Sequence, residues 1–295
     1  MSLSIDPIDL ARPDFAARVG GIDIATGVSS AHAALIEDAM DRYAVLVIPG
    51  QVIDDEQQYR FSTHFGPMET ATGDIAATQD RRLSMDVNDI SNLSKDGTVL
   101  ARDDRRRLFG LGNMLWHSDS SFKPTPSKFS LLSARCIPDG GGNTEFADMR
   151  AAWDTLDPDL QRECLDKVCE HSQIYSRGML GFTEFTDEER ERWQAVPQRL
   201  VRRHPGSARL SLYLASHIGT IVGWPIPEAR MFVRDLIEHA TQREFVYSHQ
   251  WQQWDLVMWD NRVTMHRARR YDHTQSRDMH RTTVSDRAPT LEQPM

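Results

Sequence analysis

Hydrophobic and polar positions alternate between two periods along this chain. In AHAALIEDAMDRYA, residues 31–44, Leu35, Ile36, Met40 and Tyr43 recur at helical spacing behind Ser29 and Ser30 as caps, so the pattern predicts a packing helix. VLVIPGQ has no polar gap and predicts a buried strand ending in a Pro-Gly turn. DDEQQYRFSTHFG, from Asp54, predicts a second helix with an acidic first turn, closed at Gly66-Pro67. KFSLLSARCI reads as a strand, DGGGN at 139–143 as a turn, and Asp148 as the cap of a helix MRAAWDTL. Asp157-Pro158 starts a further helix along DPDLQRECLDKVCEH, with proline at the first helical position.

Farther on, RLVRRHPGSARLSLYLAS reads as strand, HPGS turn and strand, and IPEARMFVRDLIEHATQ places Val233, Leu236, Ile237 and Ala240 on one helical face. Short strands then follow in series: EFVYSHQW, DLVMWDN, VTMHRARR and DMHRTTVSD. Two polar stretches, near 81–109 and 176–196, interrupt the pattern, and segments that long usually work as lids or binding loops. Mostly β-segments with helices in front and on the flanks predict a β-sandwich or jelly roll covered by helices. No internal repeat, low-complexity tract or linker divides the 295 residues, so a single domain over 1–295 with those two insertions is expected.

Composition narrows the function. A hydrophobic content of 40% supports a sizeable core, and a formal charge of −9 leaves no basic face of the kind nucleic acid demands. MSLSIDPIDLARPDF lacks the make-up of a secretory leader, and no run of about 18 apolar residues is present to span a bilayer. The expectation is a cytoplasmic protein, associating as a homo-oligomer, whose partner is a small molecule. Cys136, Cys164 and Cys169 have no CxxC spacing and are expected reduced and mostly buried. Of 34 basic residues only four are lysine, and the run RDDRRR at 102–107 is expected to be a solvated loop with internal ion pairs.

Candidate chemistry starts at GNMLWHSDSSF, residues 112–122. If this segment is a strand, His117 and Asp119 project to one face while Ser118 points away. An imidazole and a carboxylate on one side can hold two adjacent positions of a divalent metal, and two histidines with one carboxylate leave three positions of an octahedral Fe(II) open for other ligands. Alone, H-x-D is a weak signal, more often a hydrogen-bonded pair in a turn than a metal site. Among the other ten histidines, His32, His239 and His249 are assigned to polar faces or helix flanks, His204 to a turn, and His64, His171, His273 and His280 to polar surroundings. His217 follows an apolar strand and faces either the cavity or the core. His266 lies in WDNRVTMHRARR, where the Asp260-Asn261 turn aims the next strand back along the sheet.

WHSD at 116–119, WDNRVTMH at 259–266 and an arginine eleven residues beyond His266 together resemble the iron(II)/2-oxoglutarate dioxygenases of the taurine dioxygenase and 2,4-dichlorophenoxyacetate dioxygenase superfamily. The likeness runs over essentially the whole chain, including FGP at 65–67, GGNTEFADMRAAWD at 141–154 and HATQREFVY from His239. It implies a mainly β fold with flanking helices, a double-stranded β-helix of the cupin-like jelly-roll type. It implies His117, Asp119 and His266 as Fe(II) ligands, with Arg277 and Thr144 on the distal carboxylate of 2-oxoglutarate. Arg281, at an even offset in a continuing strand, would share the cavity with Arg277 and grip an anionic substrate, and Asn113 and His217 are further candidates for lining the site.

Within the family, the taurine branch carries a histidine-rich stretch soon after the FG pair, whereas this chain has FGPMETATGDI. NDISNLSKDG, EHATQREFVY, DLVMWDNR and RRYD resemble the phenoxyacetate-degrading branch instead. The resemblance thus implies hydroxylation of an aryloxyalkanoate next to its ether oxygen with O2 and 2-oxoglutarate, yielding a phenol, glyoxylate, succinate and CO2. The alternatives are the same chemistry on a sulfonate, an alkyl sulfate or another carboxylic acid, a cupin-like metal-binding protein without turnover, and a zinc hydrolase built on two histidines and a carboxylate.

Overall fold

The computed structural model describes residues 3–71, 75 and 81–295; the 72–74 part of FGPMETATGDI lies outside the described residues. It is a sheet-rich molecule with helices packed on its flanks. The larger sheet has seven strands, in spatial order Ser4–Pro7, Ala17–Gly20, Val45–Ile48, Leu256–Asp260, Ser127–Cys136, Asp278–Ser285 and Asn88–Asp89. A second sheet of three strands runs Val246–His249, Thr144–Asp148, Thr264–Ala268.

The central strand of the larger sheet is Leu256–Asp260, paired antiparallel with the VLVI strand on one side and with Ser127–Cys136 on the other. Val45, Leu46, Val47 and Ile48 are inaccessible on both faces, which is why this stretch has no polar alternation. Each such side chain gains roughly 1.5–3 kcal/mol from burial. On one face the helix Ser30–Tyr43 covers the sheet with Ala33, Ile36, Ala39, Met40 and Tyr43, while Leu35, expected on the packing face, is exposed. Ser29 caps that helix and Asp54 forms a capping box with Gln57 at the start of Asp55–Ser62.

The helix begun by Asp157-Pro158 stops at Cys164, and VCEH forms a strand, Val168–His171, between Ile218–Ile221 and Val196–Arg199. Cys169 and His171 point inward there, and the apolar positions Val168 and Cys169 suit a strand as well as a helix. HPGS forms the expected turn between Val201–Arg203 and Leu210–Leu212. The two polar stretches hold structure of their own: a two-residue strand at Asn88–Asp89, and short helices at Arg105–Gly110, Gln173–Gly178 and Asp187–Arg192. RDDRRR is therefore only partly a loop, since Asp104 caps the helix that Arg105 begins and Arg105 pairs with Glu189 across to the other insertion. All three cysteines are free, and burial pushes the thiols of Cys164 and Cys169 up to about 12.

Four histidines assigned to a turn, a polar face or helix flank, or polar surroundings are buried: His204, His249, His171 and His280. His171 stacks on the Tyr213 ring, centroids 5.8 Å apart, and the other three pair with carboxylates, among them Asp260 and Asp55 brought in from distant parts of the chain. His249 meets Asp255 at 3.1 Å. His204 Nε2 lies 3.0 Å from Asp260, which also binds Arg262 at 2.5 Å beneath the turn leading to His266. His280 lies between Asp278 and Asp55, joining the strand Asp278–Ser285 to the helix Asp55–Ser62, and Arg82 bridges Asp278 to Asp89 on the edge strand.

Replacing Asp260 with alanine strands the Arg262 guanidinium in the interior and is expected to cost about 3–5 kcal/mol, read from urea denaturation. For His280, burial opposes the charged form but Asp278 and Asp55 outweigh it and raise its pKa above 6.5. The linked stability is fully present below the unfolded value and is lost as pH rises through the folded one. Unfolding free energy should fall across that alkaline window in the native chain, and the slope should disappear in H280Q.

Candidate metal centre and its surroundings

Two histidines and one aspartate meet between the sheets. His266 stands in the strand Thr264–Ala268, opposite Phe146. His117 is not in a strand; it makes a single bridge to His266, in which its N–H donates to His266 O at 3.0 Å and its carbonyl accepts from the His266 N–H at 2.8 Å. Asp119 faces the histidines, and the chain then turns away with Ser120 in the left-handed region at φ 53°. Ser118 points away, as expected, and its hydroxyl donates to Leu214 O and Thr264 O.

One ligand atom from each of His117, Asp119 and His266 lies within 4.8 Å of the others, and all three residues are buried. Nε2 of His117 is 3.9 Å from one Asp119 oxygen and Nε2 of His266 is 3.6 Å from the other. Nδ1 of His117 sits 2.7 Å from Leu115 O, which fixes the proton there and leaves Nε2 as the lone-pair nitrogen. Burial lowers the pKa of both imidazoles, most strongly for His266, so both are neutral, as a metal requires. For Asp119 burial works the other way, but Arg281, His266 and His117 overcome it and hold the carboxyl well below the usual range.

The shell that positions Asp119 comes largely from the larger sheet. Ser130 donates to its Oδ2 at 2.7 Å, Arg281 Nη1 reaches Oδ1 at 2.5 Å, and Asn261 Oδ1 accepts its backbone N–H at 3.0 Å. Asn261 in turn donates to Ser130 Oγ at 3.0 Å. Ser130 and Asn261 escaped the sequence reading; the adjacency of Asn261 to the Asp260 turn was their only signal. The turn itself is locked by Glu69, which accepts from Ser120 and from Lys123.

Arg277 is buried over the Tyr271 ring at 5.6 Å, with Nη1 donating to Ile90 O at 3.2 Å and no carboxylate partner among the described residues. Gly142 beside it serves the backbone, at φ 71°, since a Cβ there would meet Arg277 Nε at an ordinary contact distance of 3.7 Å. Thr144, two residues on, is buried and accepts from Trp251 Nε1 at 3.0 Å. Arg281 departs from the expected arrangement: the strand begins only at Asp278, with a register shift between Asp278 and Met279, so the simple even-offset argument does not apply. Its guanidinium is engaged with Asp119 instead of standing free. His217 is buried, with its ring 5.9 Å from that of His117 and 5.0 Å from Phe122. Asn113 is half-buried on the turn Leu111–Met114 and accepts from Arg177 at 3.4 Å.

The profile described as "Taurine catabolism dioxygenase TauD, TfdA family" matches residues 6–283. The chain belongs to the TauD/TfdA family. It is 43% identical to the alpha-ketoglutarate-dependent 2,4-dichlorophenoxyacetate dioxygenase of Cupriavidus pinatubonensis, covering 98% of this chain and 99% of that one. The (S)-phenoxypropionate/alpha-ketoglutarate-dioxygenase of Delftia acidovorans is 34% identical, with 93% of each chain covered. Among solved structures, AAD-2 in complex with Mn(II) and N-oxalylglycine superposes with a TM-score of 0.95 at 55% identity, over 98% of this chain and 100% of that one. Among the described residues, no helix is long and apolar enough to cross a membrane.

Removing the Ser130 hydroxyl loosens the carboxylate without touching a ligand atom. S130A should bind Mn(II) about 10–100-fold more weakly with an unchanged circular dichroism spectrum, whereas H266A should take up no stoichiometric metal; both are read by equilibrium dialysis.

Proposed function

We propose that this chain is an Fe(II)- and 2-oxoglutarate-dependent dioxygenase that hydroxylates an aryloxyalkanoate, such as 2,4-dichlorophenoxyacetate, at the carbon beside the ether oxygen. The observation that carries this is the buried His117, Asp119, His266 donor set, with its ligand atoms within 4.8 Å of one another, in a chain that aligns end to end with dioxygenases of aryloxyalkanoates. Two neutral imidazoles and one ionised carboxylate suit Fe(II), and three ligands on one side leave the other positions for exchangeable ones. When bound, the ferrous centre couples decarboxylation of 2-oxoglutarate to the insertion of one oxygen atom of O2 into a C–H bond.

The overall balance is closed: aryloxyacetate, 2-oxoglutarate and O2 give hydroxylated aryloxyacetate, succinate and CO2. The hydroxylated carbon bears the ether oxygen, so the product is a hemiacetal that collapses to a phenol and glyoxylate. The protein's part is geometry. His117, Asp119 and His266 fix the metal side; Arg277, buried without a carboxylate partner, and Thr144 take the distal carboxylate of the keto acid, for which a guanidinium offers two parallel donors. Arg281 and Ser130 keep Asp119 ionised and oriented. Asn113 and His217 line the substrate side.

The same reading treats 1–295 as one catalytic domain, its two main sheets as a double-stranded β-helix, and the two insertions as the cover over an anionic aryl substrate. It also treats the protein as a cytoplasmic homo-oligomer. Adding Fe(II) and 2-oxoglutarate without oxygen should produce a visible charge-transfer band that 2,4-dichlorophenoxyacetate perturbs. With oxygen, succinate should appear with phenoxyacetates and 2-phenoxypropionates and not with taurine or alkyl sulfates. Turnover on sulfonates alone would overturn the substrate assignment and leave the reaction class.

A further inference from the structure

The stretch EFVYSHQW, residues 244–251, supplies the strand Val246–His249 and then Trp251, and it holds no ligand of the metal centre. It nevertheless builds a buried polar chain. His249, 4% exposed, has Nε2 3.1 Å from Asp255 Oδ2 and Nδ1 3.0 Å from the Tyr247 hydroxyl. Facing a carboxylate oxygen, Nε2 carries the proton, and Nδ1 takes the hydrogen of Tyr247. The same Asp255 oxygen accepts the Gln252 N–H at 2.9 Å and closes the turn after Trp251. With both its nitrogens held, the His249 ring stands edge-on to Trp251, centroids 4.7 Å apart and planes at 86°. It is a wall that fixes the plane of the indole.

Trp251 belongs to the buried cluster that includes Phe146, Val257 and Trp259, and its one polar side-chain atom, Nε1, donates to Thr144 Oγ1 at 3.0 Å. The backbone of Thr144 is locked in the smaller sheet, opposite His249 on one side and Ala268 on the other. Its hydroxyl, also buried, accepts from Trp251 and has no acceptor for its own proton among the described residues. A buried O–H left without an acceptor is costly, and a ligand that takes the proton relieves the cost. The chain entering this strand runs beside Arg277, since a Cβ on Gly142 would touch its Nε at 3.7 Å. Thr144, two residues on, and the guanidinium without a carboxylate partner therefore share one neighbourhood.

A hydroxyl can meet an anion in two ways: it donates its proton, or it turns the proton elsewhere and presents a lone pair, which repels. An indole N–H is a donor only. With Trp251 occupying one lone pair of Oγ1, the hydroxyl proton is directed away from the indole and is free for an incoming oxygen. We propose that Trp251 is a positioning residue for the keto acid: by donating to Thr144 Oγ1 it commits that hydroxyl to donate to the distal carboxylate, with His249 and Asp255 holding the indole in place. This rests on the dioxygenase reading above, in which Thr144 and Arg277 meet that carboxylate, and it adds a residue that acts only through Thr144.

The test is calorimetric titration of N-oxalylglycine, and of N-ethyloxamate, which keeps the chelating end and lacks the distal carboxylate, into full-length protein loaded with Mn(II). W251F keeps a ring and loses the donor. It should weaken N-oxalylglycine about 5–10-fold while N-ethyloxamate and Mn(II) bind as in the native chain, and W251H, whose ring N–H can donate again, should recover part of the loss. In a T144V background W251F should add nothing, because its route to the ligand is gone. Native affinity in W251F, equal losses for both oxamates, or a loss that persists undiminished on T144V would overturn the proposal. If W251F does not fold, nitrogen-15 labelling of tryptophan in the native Zn(II)-loaded protein decides. The indole N–H resonance that T144V displaces should shift with N-oxalylglycine and stay in place with N-ethyloxamate; a resonance that responds to both alike, or to neither, overturns the proposal. A native chain that binds N-oxalylglycine no more tightly than N-ethyloxamate would overturn the parent assignment of Thr144 and Arg277 as well, whereas a failure confined to the Trp251 experiments leaves that assignment standing.

Discussion

Asp119 keeps its negative charge at a depth where an isolated carboxylate would protonate, and the two sheets share the work of holding it ionised. The smaller sheet contributes His266 and, through a single bridge, His117. The larger sheet contributes Ser130 and Arg281, and the turn after Trp259 contributes Asn261. Remove the charge and both imidazoles lose the oxygen they face; remove either sheet and the charge has no reason to persist. The packing of the β-scaffold and the electrostatics of the centre are therefore one problem, because the groups that compensate the buried ion are the same residues whose backbones form the ladders.

Outside that centre the molecule divides its tasks. Paired strands carry the residues that must not move, held by backbone bonds and by buried ion pairs such as Asp260 with Arg262. The insertions carry short helices, an aromatic cluster and a cation, linked to one another through Arg105 and Glu189. Such segments tolerate sequence change more readily than a sheet interior. A common oxidative centre can thus be fitted to different acids by altering the cover and leaving the ladders alone.

Much of this was legible in the chain. The strands VLVI, KFSLLSARC, LVMWD and TMHRA and the two long helices declared themselves by period and caps, because their burial is set locally. The triad was legible through motif spacing: His117 and Asp119 face one way and Ser118 the other, as alternation predicts, although a one-residue bridge to His266 holds the segment where a full strand was expected. Long-range pairing was not legible. Nothing near Arg281 in the chain points to Asp119, nothing near His204 points to Asp260, and a single arginine in a polar stretch gives no hint that Arg177 will be interior. Leu35 shows the converse, an apolar residue at helical spacing that the fold leaves outside.

The margins of the larger sheet are short. One is the four-residue strand Ser4–Pro7, ending in a proline, and the other is the two-residue Asn88–Asp89, secured by Arg82. Neither offers a long row of free amides and carbonyls onto which a neighbouring chain could zip. Self-association by extension of this sheet is thereby disfavoured, and copies of the molecule would have to meet through side-chain surfaces, which protects a crowded solution of it from fibre-like stacking at this point.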